Sequence, residues 1–341
     1  MRKRKDKSTT DTELCPWCAG VVTTPESMTA KLAGTKPKRF GLAFLLASFI
    51  AGISSIAPLA AVYLGSAALI LAICVIAHEA GHLLAAVRGK VVVTEFAFGF
   101  GMPLVARTIR GVVVTWRLLP LGGYCQIVGM DGDAQICDEH RKEMGDRKLF
   151  VEASTARRLW ISLAGVTANL VVAWIALMVA MARMMDKDSS LTQILLIPVL
   201  AAEATIRGVG IILYSMGDGI RRIFTGQGGD GLGSVISLPT QMATSAGEIE
   251  VGLGIYMALF LGIVSLSLAV LNALPLFPLD GSHVVSTLAD AFRNLRATSR
   301  GQEKPQPLRG SQLTLYRVAT SLPVGALMVF LIVRDIYRVI T

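Results

Sequence analysis

Apolar positions along this chain come in long uninterrupted runs. Residues 41–77 contain no Asp, Glu, Lys, Arg or His. As one helix this run would extend about 55 Å at ~1.5 Å per residue, while a bilayer's hydrocarbon core is only about 30 Å thick. The run must therefore fold back. "SSIAP", Ser54 to Pro58, is the predicted turn, since Pro58 lacks an amide donor. The pattern predicts apolar spans at 40–56, 59–86, 159–183 and 252–274, with a fifth at 313–334. The stretch 191–214 is also apolar, but Glu203 and Arg207 interrupt it and "GDGIRRIF" follows. It reads as an interfacial amphipathic helix, part of an extracytoplasmic segment 190–250, with a sixth span left open. Between the spans, "VVVTEFAFGFG" and "GVVVTWRLLPLGGYCQIVGM" are β-branched and punctuated by Gly. They predict short strands and a hairpin over 91–128. The fold class is a membrane protein, mainly α: a polytopic helical bundle with a small membrane-associated β-hairpin.

Composition agrees. The 341 residues are 53% hydrophobic and 17% charged, where a soluble domain carries about 25% charged residues. The net charge of +9 would suggest nucleic acid in a soluble protein. Here the cations are sorted by loop: nine Lys/Arg in 1–39, eleven in 88–158, five in 284–314 and only four in 185–251. Sidedness in a bilayer explains this sorting, and no nucleic-acid partner is needed. The first three segments are expected in the cytoplasm, most simply at a bacterial plasma membrane, with the N-terminus inside. The chain then divides into a basic cytoplasmic tail (1–39), an extra transmembrane helix (40–58) and a main domain (59–341). The first apolar run starts near residue 40 behind a basic tail, so no cleavable signal peptide is expected. Five cysteines at cytoplasmic or intramembrane positions argue against a disulfide framework.

The second span carries costly polarity: "CVIAHEAGHLLA", residues 74–85. His78 and His82 are four residues apart and share a helix face. Two imidazoles so placed can grip one metal ion, and Glu79 can reach a metal-bound water without ligating. Ionisable groups inside a membrane are functional by default. A tetrahedral catalytic zinc takes a third protein ligand. Asp280 in "LNALPLFPLDGSH" (271–283) is the best candidate. Pro275 and Pro278 break the preceding helix, and both clusters sit near the inner ends of spans running outward to inward. The competing reading of Asp280 is a plain Asp-Gly turn.

Several ordered motifs, "HEAGH" (78–82), "FGFG" (98–101), "PLGGY" (120–124), "AGVTAN" (164–169) and "NALPLFPLDG" (272–281), make residues 60–340 resemble the site-2 protease family of intramembrane zinc metalloproteases. The resemblance implies His78, His82 and Asp280 as ligands of one catalytic Zn2+ and Glu79 as the base. It implies that Asn272 helps position substrate, and that the substrate is a peptide bond in or near a transmembrane segment of a single-span partner. A helical substrate must unwind to be cut, and a strand edge can pair with the unwound segment. Gly122 and Gly123, followed by Tyr124, would let substrate backbone approach. Asn272 can also be read as a helix-end cap. The chain departs from the family pattern at Val166, where A-G-P is usual, and at Phe277, often proline. Many relatives carry a PDZ domain; the interval 185–251 is too short and apolar for one, so none is expected.

Two short motifs stand outside this reading. "CPWC" (Cys15 to Cys18) lies in the tail and "CDEH" (Cys137 to His140) in a later cytoplasmic segment. Together they would supply a Cys3His set for a second, structural zinc; unpaired cytoplasmic thiols are the plainer alternative. The function expected is a metalloendopeptidase acting in regulated intramembrane proteolysis or on remnant signal peptides. A non-proteolytic metal-binding protein or transporter is the alternative, though the internal repeats common in transporters are not seen.

Overall fold

A computed structural model describes residues 58–130, 136–185, 188–225, 252–303, 305, 307–308 and 310–340. The expected tail and extra helix, 1–57, lie outside the described residues. Seven α-helices and two long strands are described: α1 (Pro58–Arg88), β1 (Val93–Ile109), β2 (Val112–Ile127), α2 (Asp138–Met144), α3 (Thr155–Met184), α4 (Leu191–Phe224), α5 (Leu253–Ala273), α6 (Gly281–Ser299) and α7 (Gly310–Ile340). Among the described residues, four helices are long and apolar enough to cross a membrane: Gly65–Arg88, Thr155–Met184, Leu191–Arg222 and Gly254–Ala273. The protein is an integral, multi-pass, mainly helical membrane protein. α7 runs through the expected 313–334 span.

The chain forms two compact units, and the boundaries between them fall inside α1 (after His78) and inside α3 (after Ala164). The first holds Glu79–Ala164 and Gly281–Arg317. Its core packs Ala85, Ala86, Val91, Val93, Ile127, Phe150 and Ile161. α1 ends here in a Schellman motif: Lys90 takes a positive φ (54°), its amide reaches the Val87 carbonyl at 3.1 Å, and the Val91 amide reaches Ala86 at 2.8 Å. The strands then turn through Arg110 and Gly111, both with positive φ, as a two-residue hairpin of type I′ sense requires.

The two strands are longer than expected and each is used twice. Ile109 to Val105 pair antiparallel with Val112 to Trp116, and Val93–Phe98 pair antiparallel with Gly123–Ile127. On their other side Glu95 to Phe98 align with Val113 to Trp116, here with both segments running in one direction. Register shifts between Phe98 and Val105 let the strands bend back, and glycines with positive φ at 99, 101 and 122 occupy the bend. Inside the bend the Glu95 carboxylate is buried and accepts from Thr115 Oγ1 (2.7 Å) and Arg117 Nη2 (2.6 Å). Arg117 also donates to the Gly101 carbonyl (2.8 Å), which fastens the outer loop. This ion pair and its hydrogen bonds satisfy a charge that would otherwise be costly inside a small sheet.

The second unit holds the first part of α1, the rest of α3, α4, α5 and the rest of α7. Ile70, Cys74 and Phe260 form its buried cluster. At Gly262 α5 packs on α3, where a Cβ would lie in ordinary contact, 3.5 Å from Leu177 and 3.6 Å from Ala176. For residues 191–214 the sequence leaves both an interfacial helix and a sixth span open. They belong to one 34-residue helix whose length and apolarity suffice for a crossing. Glu203 and Arg207, which seemed to interrupt it, pair at 2.6 Å one turn apart and offset each other. The Trp174 indole donates to the Pro198 carbonyl (2.9 Å), fixing α4 to α3.

Candidate active site

The site is built on the C-terminal half of α1. His78 and His82 lie one turn apart, both buried at 6% and 4% exposure. Each is held by its Nδ1. His82 Nδ1 donates to the Ile161 carbonyl at 2.8 Å, so the Nε2 lone pair is left to face a metal. The Asn169 amide lies 3.3 Å from His78 Nδ1, and its Oδ1 is a buried polar atom with no hydrogen-bond partner among the described residues. Turning that amide lets Oδ1 accept from the ring Nδ1–H, which again directs the Nε2 lone pair outward. Asn169 is itself fully buried, and Ser265 of α5 donates to its backbone carbonyl at 2.8 Å.

α5 stops at Ala273, where the Leu274 amide closes the helix onto the Leu271 carbonyl. Pro275 and Pro278 follow, and the chain turns into α6 at Gly281. That turn sets Asp280 Oδ2 2.8 Å from His78 Nε2. One ligand atom from each of His78, His82 and Asp280 lies within 4.8 Å of the others. Two imidazole nitrogens and one carboxylate oxygen, with a tetrahedral position to spare, fit a catalytic zinc. Phe277 keeps an amide that proline would lack, and it donates to Thr320 Oγ1 of α7 at 3.1 Å.

Glu79 is half-buried beside His78 in sequence. Its charge is felt by Cys125 of β2, whose thiol is pushed up first by burial and then by the Glu79 carboxylate. Gly122 has φ +105°, and a Cβ there would come within 2.6 Å of the Phe100 ring. Gly123 pairs with Phe98. The Tyr124 ring stacks on Phe100 at 6.4 Å, with the Arg117 guanidinium 5.4 Å from its centroid. Asn272 is half-buried in the last turn of α5. Cys137 and His140 meet elsewhere, at 3.0 Å, while Cys15 and Cys18 lie outside the described residues.

Asn169, Ile161 and Ser265 were missed as site residues by sequence reasoning. A polar Asn inside an apolar span, within "AGVTAN", was the signal available for the first. A backbone carbonyl such as that of Ile161 leaves no signal in sequence.

His78, His82 and Asp280 form a His2Asp cluster able to hold a metal ion, in a chain whose helices are long enough to cross a membrane. Residues 66–306 match the model of peptidase family M50, the site-2 protease family, and the chain belongs to it. Among curated relatives, a protein named as a zinc metalloprotease in Chlamydia trachomatis is 37% identical over 114 residues, covering 33% of this chain and 18% of its own. One so named in Thermotoga maritima is 40% identical over 99 residues, covering 28% and 18%. Metalloprotease MmpA of Caulobacter vibrioides is 32% identical over 117 residues, covering 30% and 29%. The matches thus span between about a fifth and three tenths of these relatives' length. Zinc is the metal that the donor set and these relatives indicate.

Proposed function

We propose that the protein is a zinc-dependent intramembrane endopeptidase that hydrolyses a peptide bond within or near the transmembrane segment of a single-span membrane protein. The observation that carries this reading is the convergence of His78, His82 and Asp280 on apolar helices, with Glu79 adjacent. A protease of soluble substrates has no need to hold three ionisable ligands in hydrocarbon.

His78, His82 and Asp280 would hold the zinc. When bound, zinc supplies Lewis-acid activation of a water and of the scissile carbonyl. Glu79 takes the proton from the attacking water and delivers it to the amine as the C–N bond breaks. His82 and His78 are kept in the ligating tautomer by Ile161 and Asn169. The bent hairpin offers the edge on which an unwound substrate pairs. Gly122 and Gly123 allow close backbone approach, Tyr124 flanks them, and Asn272 positions the substrate's polar backbone.

His78 lies in the C-terminal half of α1 and Asp280 just past the end of α5, so the two helices run in the same sense. α3 supplies the return crossing between them. With the cation sorting along the chain, this topology favours a plasma-membrane protease with its N-terminus in the cytoplasm and its site near the cytoplasmic face.

Co-expression of a tagged single-span substrate with wild type and with Glu79→Gln tests the proposal. Cleavage by wild type, lost in the variant while zinc is retained, is the expected result. Equal cleavage by both would remove Glu79 as the base.

A further inference from the structure

We propose that a basic cavity at the ends of α1 and α3 binds the phosphate headgroup of an anionic phospholipid. The cavity, of about 770 Å3, is lined by five cations and two carboxylates. It lies wholly within the first unit. Its position relative to the spans is fixed by Lys90 and Arg157, which both line it. The span Gly65–Arg88 ends two residues before Lys90, and the span Thr155–Met184 begins two residues before Arg157. The cavity therefore lies at the level where the headgroups of a surrounding bilayer sit.

The carboxylates account for only two of the cations. Arg141 pairs with Glu152, and Lys90 Nζ stands 3.7 Å from Asp146 Oδ2 at the surface. Among the described residues, no carboxylate lies within ion-pair distance of the other three lining cations, Arg147, Lys148 and Arg157. The backbone crowds these charges together. The Lys148 amide donates to the Lys90 carbonyl at 2.9 Å, and the Val92 amide donates to the Lys148 carbonyl at 3.0 Å. Two lysines thus stand on adjoining backbone, an arrangement of like charges that is unfavourable unless an anion offsets it. Arg147 Nε donates to the Met144 carbonyl at 3.3 Å, which leaves its terminal nitrogens for a ligand. The Arg157 stem lies over Gly89, where a Cβ would come within 3.2 Å of its Cγ and Cδ. Guanidinium groups present paired N–H donors that match phosphate oxygens, and lysines add point charge.

The surroundings favour a lipid over a soluble phosphate. Trp160 follows Arg157 by one turn of α3 and is 55% exposed, and Leu84 and Val87 near the end of α1 are each 53% exposed. An exposed Trp beside cations at a span end is the pattern of a membrane interface. The exposed apolar residues lie one turn further into the spans, where acyl chains cover them; a soluble phosphate has no use for such a rim. Basic pockets between membrane helices on the cytoplasmic side take anionic headgroups in this way. The excess of Lys/Arg over residues 88–158 puts the cavity on that side. A headgroup bound there offsets the repulsion between Lys90 and Lys148 and ties the end of α1 to the start of α3.

The test titrates the full chain in neutral detergent with phosphatidylglycerol or phosphatidylcholine, with and without inorganic phosphate, and reads bound lipid by native mass spectrometry. Phosphatidylglycerol should bind, and phosphatidylcholine should bind far less. Lys148→Gln and Arg157→Gln should each weaken phosphatidylglycerol binding about fivefold, the worth of one cation beside an anionic headgroup. Lys148→Arg should keep the binding. Arg300→Gln removes an exposed cation just past α6, outside the cavity, and should leave the binding unchanged. An equal loss with Arg300→Gln would overturn the proposal, because the attraction would then belong to the whole basic face and not to the cavity. So would equal binding of the two lipids. Complete displacement of phosphatidylglycerol by millimolar inorganic phosphate would also overturn it, and would assign the cavity to a soluble phosphate.

Discussion

His78 Nε2 stands 2.8 Å from Asp280 Oδ2, joining the helix that carries the HEAGH motif to the turn that follows α5. Asp280→Ala should therefore remove a ligand and leave His78 without its partner. Zinc affinity is expected to fall by more than the roughly 10–100-fold that loss of an outer hydrogen-bond partner costs, and cleavage with it. Titration against a competing chelator measures the first; unchanged affinity would take Asp280 out of the ligand set.

Asn169 would act through His78, whose Nδ1 its amide meets at 3.3 Å. Asn169→Leu keeps the volume and removes the partner of Nδ1. It should weaken zinc binding by about 10–100-fold while the helices still pack. At saturating zinc much of the cleavage should return. A variant that binds zinc normally would reduce Asn169 to a packing role.

The bend at Gly122 cannot take a side chain. Its φ of +105° strains any other residue, and an added Cβ would meet the Phe100 ring at 2.6 Å. Gly122→Ala should cost about 1–3 kcal/mol locally and lower cleavage with zinc content intact. Phe100→Ala in the same chain should relieve the clash but not the backbone strain, restoring activity only in part.

Asp290 on α6 is buried, accepts from Arg158 Nη2 at 2.9 Å and from the Leu308 amide at 2.8 Å, and so joins α3, α6 and the chain beyond it. The Arg158 guanidinium also lies 5.2 Å from the Phe150 ring centroid. Asp290→Ala leaves a buried cation unpaired, which typically costs about 3–5 kcal/mol. Thermal unfolding in detergent should show the loss, and limited proteolysis should cut near residues 300–308 more readily.

Arg141 of α2 pairs with Glu152, which also accepts from the Leu149 amide at 3.0 Å, and this tie on α2 depends on pH. The hydrogen bond from Arg141 is the main cause holding the Glu152 carboxyl below its usual range. Its folded pKa is below the unfolded one, so its stabilisation is present above the unfolded value of about 4.3 and fades as pH falls through the folded value. Amide exchange in α2 should quicken over that acidic window. Glu152→Gln should exchange fast at all pH values, with no such dependence.

The spans around residues 59–86, 159–183 and 252–274 were legible because hydrocarbon demands uninterrupted apolar length, and α1, α3 and α5 follow. The hairpin region was legible from its β-branched residues, but not the bending of both strands. That bend depends on the buried Glu95–Arg117 pair, whose members lie too far apart in the chain for any local period to connect. In α4, Glu203 and Arg207 read as separate charges along the chain, while in the helix they pair.

His78, Glu79 and His82 could be read from spacing alone, since a helix turn makes that neighbourhood obligatory. Asp280 was reachable only through an argument about depth. Its distance from His78, the Ile161 carbonyl behind His82 and the Asn169 amide behind His78 were decided by how α1, α3 and α5 pack. The sequence by itself determined the solvent, the helices and the donor chemistry, which are local properties of residue type and spacing. The tertiary structure decided which nitrogen of each imidazole is left for the metal, because that depends on hydrogen bonds between helices, which no local spacing encodes.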